Sequence, residues 1–116
     1  MIHWKDLNSL DDLNAVSDLS KNQPVLIFKH STRCSISAST LNRLERNWDE
    51  AVVSPIIPYF LDLLKFRTLS NQIASMFKIE HESPQLLLIK NGRVIYHASH
   101  MNITFEEIKS ALLSAK

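Results

Sequence analysis

The amino-acid sequence predicts an α/β fold, a four-stranded mixed sheet flanked by helices on both faces, and three observations carry that expectation. Apolar residues at helical spacing mark segments that alternate with short apolar runs suited to buried strands. The run "VLIFK" (25–29) is β-branched and aromatic and bounded by turn residues, the pattern of a strand covered on both faces. Two strand-like runs, "QLLLIK" (85–90) and "RVIYHAS" (93–99), are separated by Asn91-Gly92, the strongest short hairpin signal.

Taken in order, residues 9–20 place Leu10, Leu13, Val16 and Leu19 at spacings of three, behind a Ser9/Asp12 start that resembles a capping box, so they form a first helix. The strand at 25–29 follows Pro24, and a central position parallel to a neighbour is expected for it. From Cys34 to Trp48 there is no Gly or Pro, and Ile36, Thr40, Leu41, Leu44 and Trp48 recur on one helical face. Pro55 and Pro58 punctuate a connection to "YFLDLL" (59–64), short enough for a second buried strand. Residues 68–79 set Leu69, Ile73, Met76 and Phe77 on one face, with Thr68 or Ser70 as candidate N-cap. After the hairpin, in which Gly92 supplies positive φ, Thr104 and Glu107 form a capping box that opens a final helix, with Phe105, Ile108, Leu112 and Leu113 inward. Ile2 and Trp4 either add an edge strand or pack under the sheet. Helix, strand, helix, strand, helix, hairpin, helix is the order of a thioredoxin-like fold.

Length and composition frame the function. At 116 residues the chain is read as one domain, 1–116, able to bury enough surface to fold without disulfides or metal. A formal net charge of +1 with 45% hydrophobic residues argues against a nucleic-acid partner. A single cysteine cannot close a bridge within the chain, which suits a reducing cytoplasmic compartment. The N-terminal stretch has acidic residues where an export signal needs an apolar core, and no run approaches the roughly 20 apolar residues that span a bilayer, so no membrane role is expected.

That cysteine is the chemical question. Cys34 follows a buried strand and a short loop and stands at the first turn of a helix, where free backbone N–H groups and the positive end of the helix dipole stabilise a thiolate. Arg33 adds a positive charge, and Ser35 and Ser37 offer hydroxyl donors, so these three are the candidate thiolate-stabilising residues. Ser37 stands three residues after Cys34, where dithiol oxidoreductases carry a second cysteine; a dithiol cycle within the chain is therefore excluded and a monothiol cycle remains. A buried structural thiol is the plain alternative. Ser83-Pro84 precedes a strand, and a cis bond there would turn backbone polar groups outward beside Cys34, ready to bind an extended peptide. His30 is a candidate acid or base near the sulfur, or equally a strand end whose side chain is solvated or hydrogen-bonded. His81 and His100 read as solvated loop residues. The histidines form no recognised zinc spacing, so no metal is expected.

The segments "FKHSTRCSIS", "HESPQLLLIKNGRVIYHASH" and "ITFEEI" together resemble the monothiol bacilliredoxins of the YtxJ type, a thioredoxin-like family, over nearly the whole chain. The resemblance implies removal of bacillithiol from S-thiolated cytosolic client proteins, with Cys34 as attacking thiol, Ser83 and Pro84 as substrate-binding residues, Pro84 being a cis-proline, and no resident cofactor, the low-molecular-weight thiol being a co-substrate. Family members often read Thr-Cys-Pro-Ile-Ser where this chain has Arg33-Cys34-Ser35-Ile36-Ser37, so Ser35 in place of proline bears on the acidity of the thiol and Arg33 on which small thiol or client is preferred. Two alternatives stand beside this reading. One is an iron–sulfur cluster carrier like the monothiol glutaredoxins, whose Cys-Gly-Phe-Ser motif is absent; the other is a redox-silent adaptor that binds through the fold.

Overall fold

The computed structural model describes residues 2–53 and 55–114. The elements are β1 (Lys5–Asp6), α1 (Leu10–Leu19), β2 (Val25–His30), α2 (Ser35–Asn47), α3 (Glu50–Val53), β3 (Ile57–Asp62), α4 (Arg67–Phe77), β4 (Gln85–Lys90), β5 (Arg93–Ser99), a 3-10 turn (His100–Asn102) and α5 (Phe105–Ser114). The last two residues of the expected final helix, Ala115 and Lys116, lie outside the described residues.

The sheet has five strands in the order β1-β3-β2-β4-β5, and not the four expected. The additional strand is Lys5–Asp6, which pairs in parallel with Tyr59 and Phe60. Two residues are too few to carry a period-2 signal, while Ile2 and Trp4 before them pack into the core. The expectation for β2 holds: it lies between β3, to which it is parallel, and β4, to which it is antiparallel, and it is buried along its whole length.

Alternation along β2 divides the core. Leu26 and Phe28 face Leu44 and Trp48 at and just beyond α2 and Phe105 and Ile108 of α5, with Trp48 edge-on to Phe105 at 5.4 Å. Val25 and Ile27 face the opposite way, onto Leu13 and Val16 of α1 and Leu69 and Ile73 of α4. Each layer removes a set of aliphatic and aromatic side chains from water, worth about 1.5–3 kcal/mol per fully buried large residue.

The second expected strand is displaced. It runs Ile57–Asp62 instead of 59–64, and Pro58 lies inside it. Ile57 N–H donates to Pro24 O of the segment entering β2, so the nitrogen of the next residue faces the other edge. At that point β1 has not begun, because its pairs start at Tyr59, and a residue with no N–H costs nothing there. After Asp62 the chain turns: Leu63 N–H donates to His30 O, and the Asp62 carboxylate accepts from the N–H groups of Leu64 and Lys65.

Helix starts and faces show where periodicity misleads. Ser9 Oγ accepts from Asp12 N–H at 3.1 Å and the Asp12 carboxylate accepts from Asn8 N–H at 3.0 Å, a reciprocal cap shifted by one residue from the usual form. By contrast α4 begins at Arg67 behind Phe66 with no side-chain cap, so the candidate caps Thr68 and Ser70 are interior positions. Leu10, Ile36, Met76 and Leu113, expected on inward faces, are exposed. In α2 the inward positions belong to Ser37, Thr40 and Leu44; Thr40 and Leu44 lie on the expected face, and Ser37 turns inward because its hydroxyl has a buried partner that an apolar count does not see. The hairpin turn is as expected, with Asn91 at φ 55° and Gly92 at φ 74°, and it is tied to the end of α1 through Ser20, which receives both N–H groups. The final capping box is present in part, with Glu107 N–H donating to Thr104 Oγ. No helix among the described residues is long and apolar enough to cross a membrane.

Candidate active site

Cys34 lies at the junction of β2 and α2. Ser31, Thr32 and Arg33 turn the chain after His30, Cys34 N–H donates to Ser31 O at 3.1 Å, and Cys34 O accepts from Ala38 N–H, so the cysteine is the N-cap of α2. An N-cap side chain normally accepts from the second or third N–H of its helix. The half-buried thiol makes no such bond and the first turn contains no acidic residue, which leaves the free N–H groups of α2 to a charged sulfur. Arg33 and Ser35 on either side are exposed, and neither side chain forms a hydrogen bond or ion pair with another described residue.

Ser37 is fully buried and its hydroxyl is committed. It receives Ser31 N–H at 3.2 Å and meets His30 Nδ1 at 2.7 Å. Among the described residues the hydroxyl has no other acceptor, and with the Ser31 N–H on its oxygen this favours the arrangement in which its proton goes to Nδ1 and the histidine carries its own proton on Nε2. His30 is nearly enclosed, its ring 5.4 Å from Phe60 and 6.2 Å from Phe28. Burial lowers its pKa below the ordinary imidazole value against a smaller upward pull from Asp62, keeping it neutral at pH 7. His30 is a strand end that is hydrogen-bonded and not solvated. The pair knits strand, loop and helix together directly behind the cysteine. Ser37→Ala leaves a buried imidazole nitrogen and a buried N–H without a partner, and an unfolding free energy lower by about 2 kcal/mol is expected in urea denaturation.

The Ser83-Pro84 bond is cis. Lys29 pairs with Gln85 across β2 and β4, so one step further along the same register Pro84 stands beside His30, and the proline and Cys34 occupy the same end of adjacent strands. Pro84 is buried with its carbonyl receiving His100 N–H at 3.1 Å, whereas the backbone of the half-buried Ser83 has no hydrogen-bond partner among the described residues. The turn beyond β5 is in turn held from α2: Thr40 Oγ donates to His100 O, and Arg43 donates to Met101 O and Ile103 O.

One buried charge escaped the sequence reading. Lys29, counted as the end of an apolar run, is fully buried on the α4 face, with Nζ 3.2 Å from Ser70 O and 3.3 Å from His81 Nδ1. His81, read from sequence as a solvated loop residue, is half-buried and bonded to Lys29 and to Ser70 Oγ. A lysine inside an otherwise apolar strand was the available signal, but its partners are 41 and 52 residues away. No group of three or more His, Cys, Asp or Glu side chains able to hold a metal occurs among the described residues.

A solved structure described as a candidate oxidoreductase with a thioredoxin fold is 29% identical to this chain, with a TM-score of 0.79 over 92% of this chain and 91% of its own. The thioredoxin of Malassezia sympodialis, 18% identical, superposes with a TM-score of 0.73 over 98% of this chain and 91% of that one. That of Trypanosoma brucei brucei, 12% identical, gives 0.72 over 97% and 90%. These likenesses show the fold. A family model, that of the monothiol bacilliredoxin BrxC, matches residues 5–108. The match takes in both the Cys34 turn and the cis-proline entry to β4, and the chain belongs to the monothiol bacilliredoxin family, a group of thioredoxin-fold thiol oxidoreductases.

Proposed function

We propose that the chain removes a low-molecular-weight thiol, bacillithiol, from mixed disulfides on client proteins, using Cys34 as its only redox group. The observation that supports this most directly is one half-buried sulfur at the N-cap of α2, at the same sheet end as the cis Ser83-Pro84 bond, with a buried serine where a second sulfur would stand.

The steps follow from thiol–disulfide exchange. The Cys34 thiolate attacks the small-thiol sulfur of client–S–S–R; the S–S bond breaks, the client leaves as a thiolate that takes a proton from water, and Cys34–S–S–R forms. A second small thiol then attacks that cap, releasing R–S–S–R and the Cys34 thiolate. The sum is client–S–S–R plus one free small thiol giving the client thiol and R–S–S–R, so one small thiol is consumed, its proton balances the one the client takes up, and Cys34 ends as it began. In this scheme the N–H groups at the start of α2 carry the developing negative charge on sulfur, Arg33 and Ser35 contact the small thiol from the exposed rim, and Ser37 acts through His30 by fixing the first turn. The Ser83 backbone receives the client segment by strand-like pairing.

Incubating the protein at pH 7 with the disulfides of bacillithiol, glutathione and coenzyme A, followed by mass spectrometry of Cys34, tests the proposal. One added small-thiol mass on Cys34 is expected, fastest with bacillithiol. A Cys34 that remains unmodified by all three overturns it.

A further inference from the structure

The segment 80–84 that carries the cis-proline is held residue by residue. Gln85 Nε2 donates to Glu80 O at 2.9 Å, Lys29 and Ser70 grip the His81 ring, Ser99 Oγ donates to the Glu82 carboxylate at 2.8 Å, and His100 N–H donates to Pro84 O. Ser83 alone is left unbonded among the described residues, between tied neighbours. Two of the anchors, Lys29 and Gln85, are cross-strand partners, both fully buried on the sheet face turned towards α4. The region is buried yet contains a cation and an orphaned acceptor, Gln85 Oε1, an arrangement that stability alone does not select.

We infer that Lys29 and Gln85 are positioning residues that hold the Ser83-Pro84 segment from beneath, and that the hold exists only while His81 is neutral. That this hold serves client binding rests on the function proposed above; the hold itself does not. An ammonium can only donate, so His81 Nδ1 must offer its lone pair, and a proton on that nitrogen both removes the acceptor and sets two cations 3.3 Å apart. The charged and titratable groups facing His81 are Lys29 of β2, Arg67 at the start of α4 and Glu82 of its own segment; the uncharged Ser70 and Gln85 complete the surroundings. Burial first, then Lys29 and Arg67, depress the His81 pKa, with Glu82 opposing, so the clamp is intact at pH 7 and opens on the acid side of the ordinary histidine range.

The experiment is hydrogen exchange of the His100 amide, whose N–H donates to Pro84 O and so reports on the segment, read as a protection factor from pH 7 to pH 5, on the wild type, Lys29→Met and His81→Gln. The wild type is expected to lose about tenfold protection across that range, Lys29→Met to show the loss already at pH 7, and His81→Gln, whose amide oxygen accepts from Lys29 and cannot be protonated, to stay flat. In parallel, KM for a peptide bearing a bacillithiol mixed disulfide is expected to rise about tenfold in Lys29→Met, with Cys34 alkylation by iodoacetamide unchanged. Wild-type protection in Lys29→Met at pH 7, or a wild-type amide whose protection does not change with pH, overturns the inference. His81→Gln is a half-exposed substitution that keeps the inference open to refutation if Lys29→Met does not fold. A Cys34 inert to mixed disulfides would remove the proposed function and leave the amide measurement able to decide on the clamp.

Discussion

Cys34→Ser is expected to reduce removal of bacillithiol from a thiolated client to the uncatalysed background, a loss on the order of 10³-fold or more for deletion of a nucleophile. The substitution is informative because it spares everything else. Serine is a preferred N-cap and its oxygen accepts from the helix's free N–H groups, so the variant should be at least as stable as the wild type, by up to about 1 kcal/mol. A protein that is folded, slightly more resistant to urea and inactive in the release of bacillithiol measured by chromatography isolates the sulfur as the cause. Retained activity, or client binding indifferent to the substitution, would instead favour a redox-silent adaptor.

The second large effect concerns stability and pH. Lys29 is fully buried without a carboxylate partner, and burial, with a smaller contribution from Arg67, lowers its pKa from 10.5 to about 8. The unfolded chain therefore binds this proton more tightly than the folded one, so the penalty is fully present below pH 8 and is relieved as pH rises towards 10.5. Between pH 7 and 9.5 this group should add up to about 2 kcal/mol of stability to the wild type. The range stops at 9.5 because Tyr59 and Tyr96, whose pKa values burial raises, oppose folding as unfolded tyrosines begin to ionise near 10. Lys29→Met should remove that slope and raise the unfolding free energy at pH 7 by about 1–3 kcal/mol, the lost Nζ hydrogen bonds offsetting part of the gain. Urea denaturation at the two pH values checks both. A more stable protein with a looser 80–84 segment would show that this strand position trades folding energy for placement of the site.

Much of this architecture was readable from local signals. The run at 25–29, the Asn91-Gly92 turn and the Ser9 and Thr104 starts each combine a short pattern with one dominant physical cause, and each stands where expected. Features whose cause is distant were not readable. Lys5–Asp6 is a strand only because Tyr59 and Phe60 offer an edge, and Pro58 is tolerated only because β1 stops short of it. Ile36 was counted inward because apolarity was the criterion, while the buried position went to Ser37, whose hydroxyl has its partner in β2. At the site, Cys34 and Pro84 were marked by residue type and context. Lys29, His81 and Gln85 come together through the register of β2 with β4 and the packing of α4, which no linear spacing records.

The sealed Ser37 hydroxyl carries a consequence for the proposed cycle. With the position three residues after Cys34 occupied by a buried serine bonded to His30, and no second cysteine in the chain, a thiol once loaded onto the protein has no internal exit. Its dwell time would be governed by collisions with molecules from the surrounding pool. The fraction of chains loaded at any instant would then follow the ratio of spent to fresh thiol in that pool, so the same site that repairs clients would also gauge the reserve that repair draws upon.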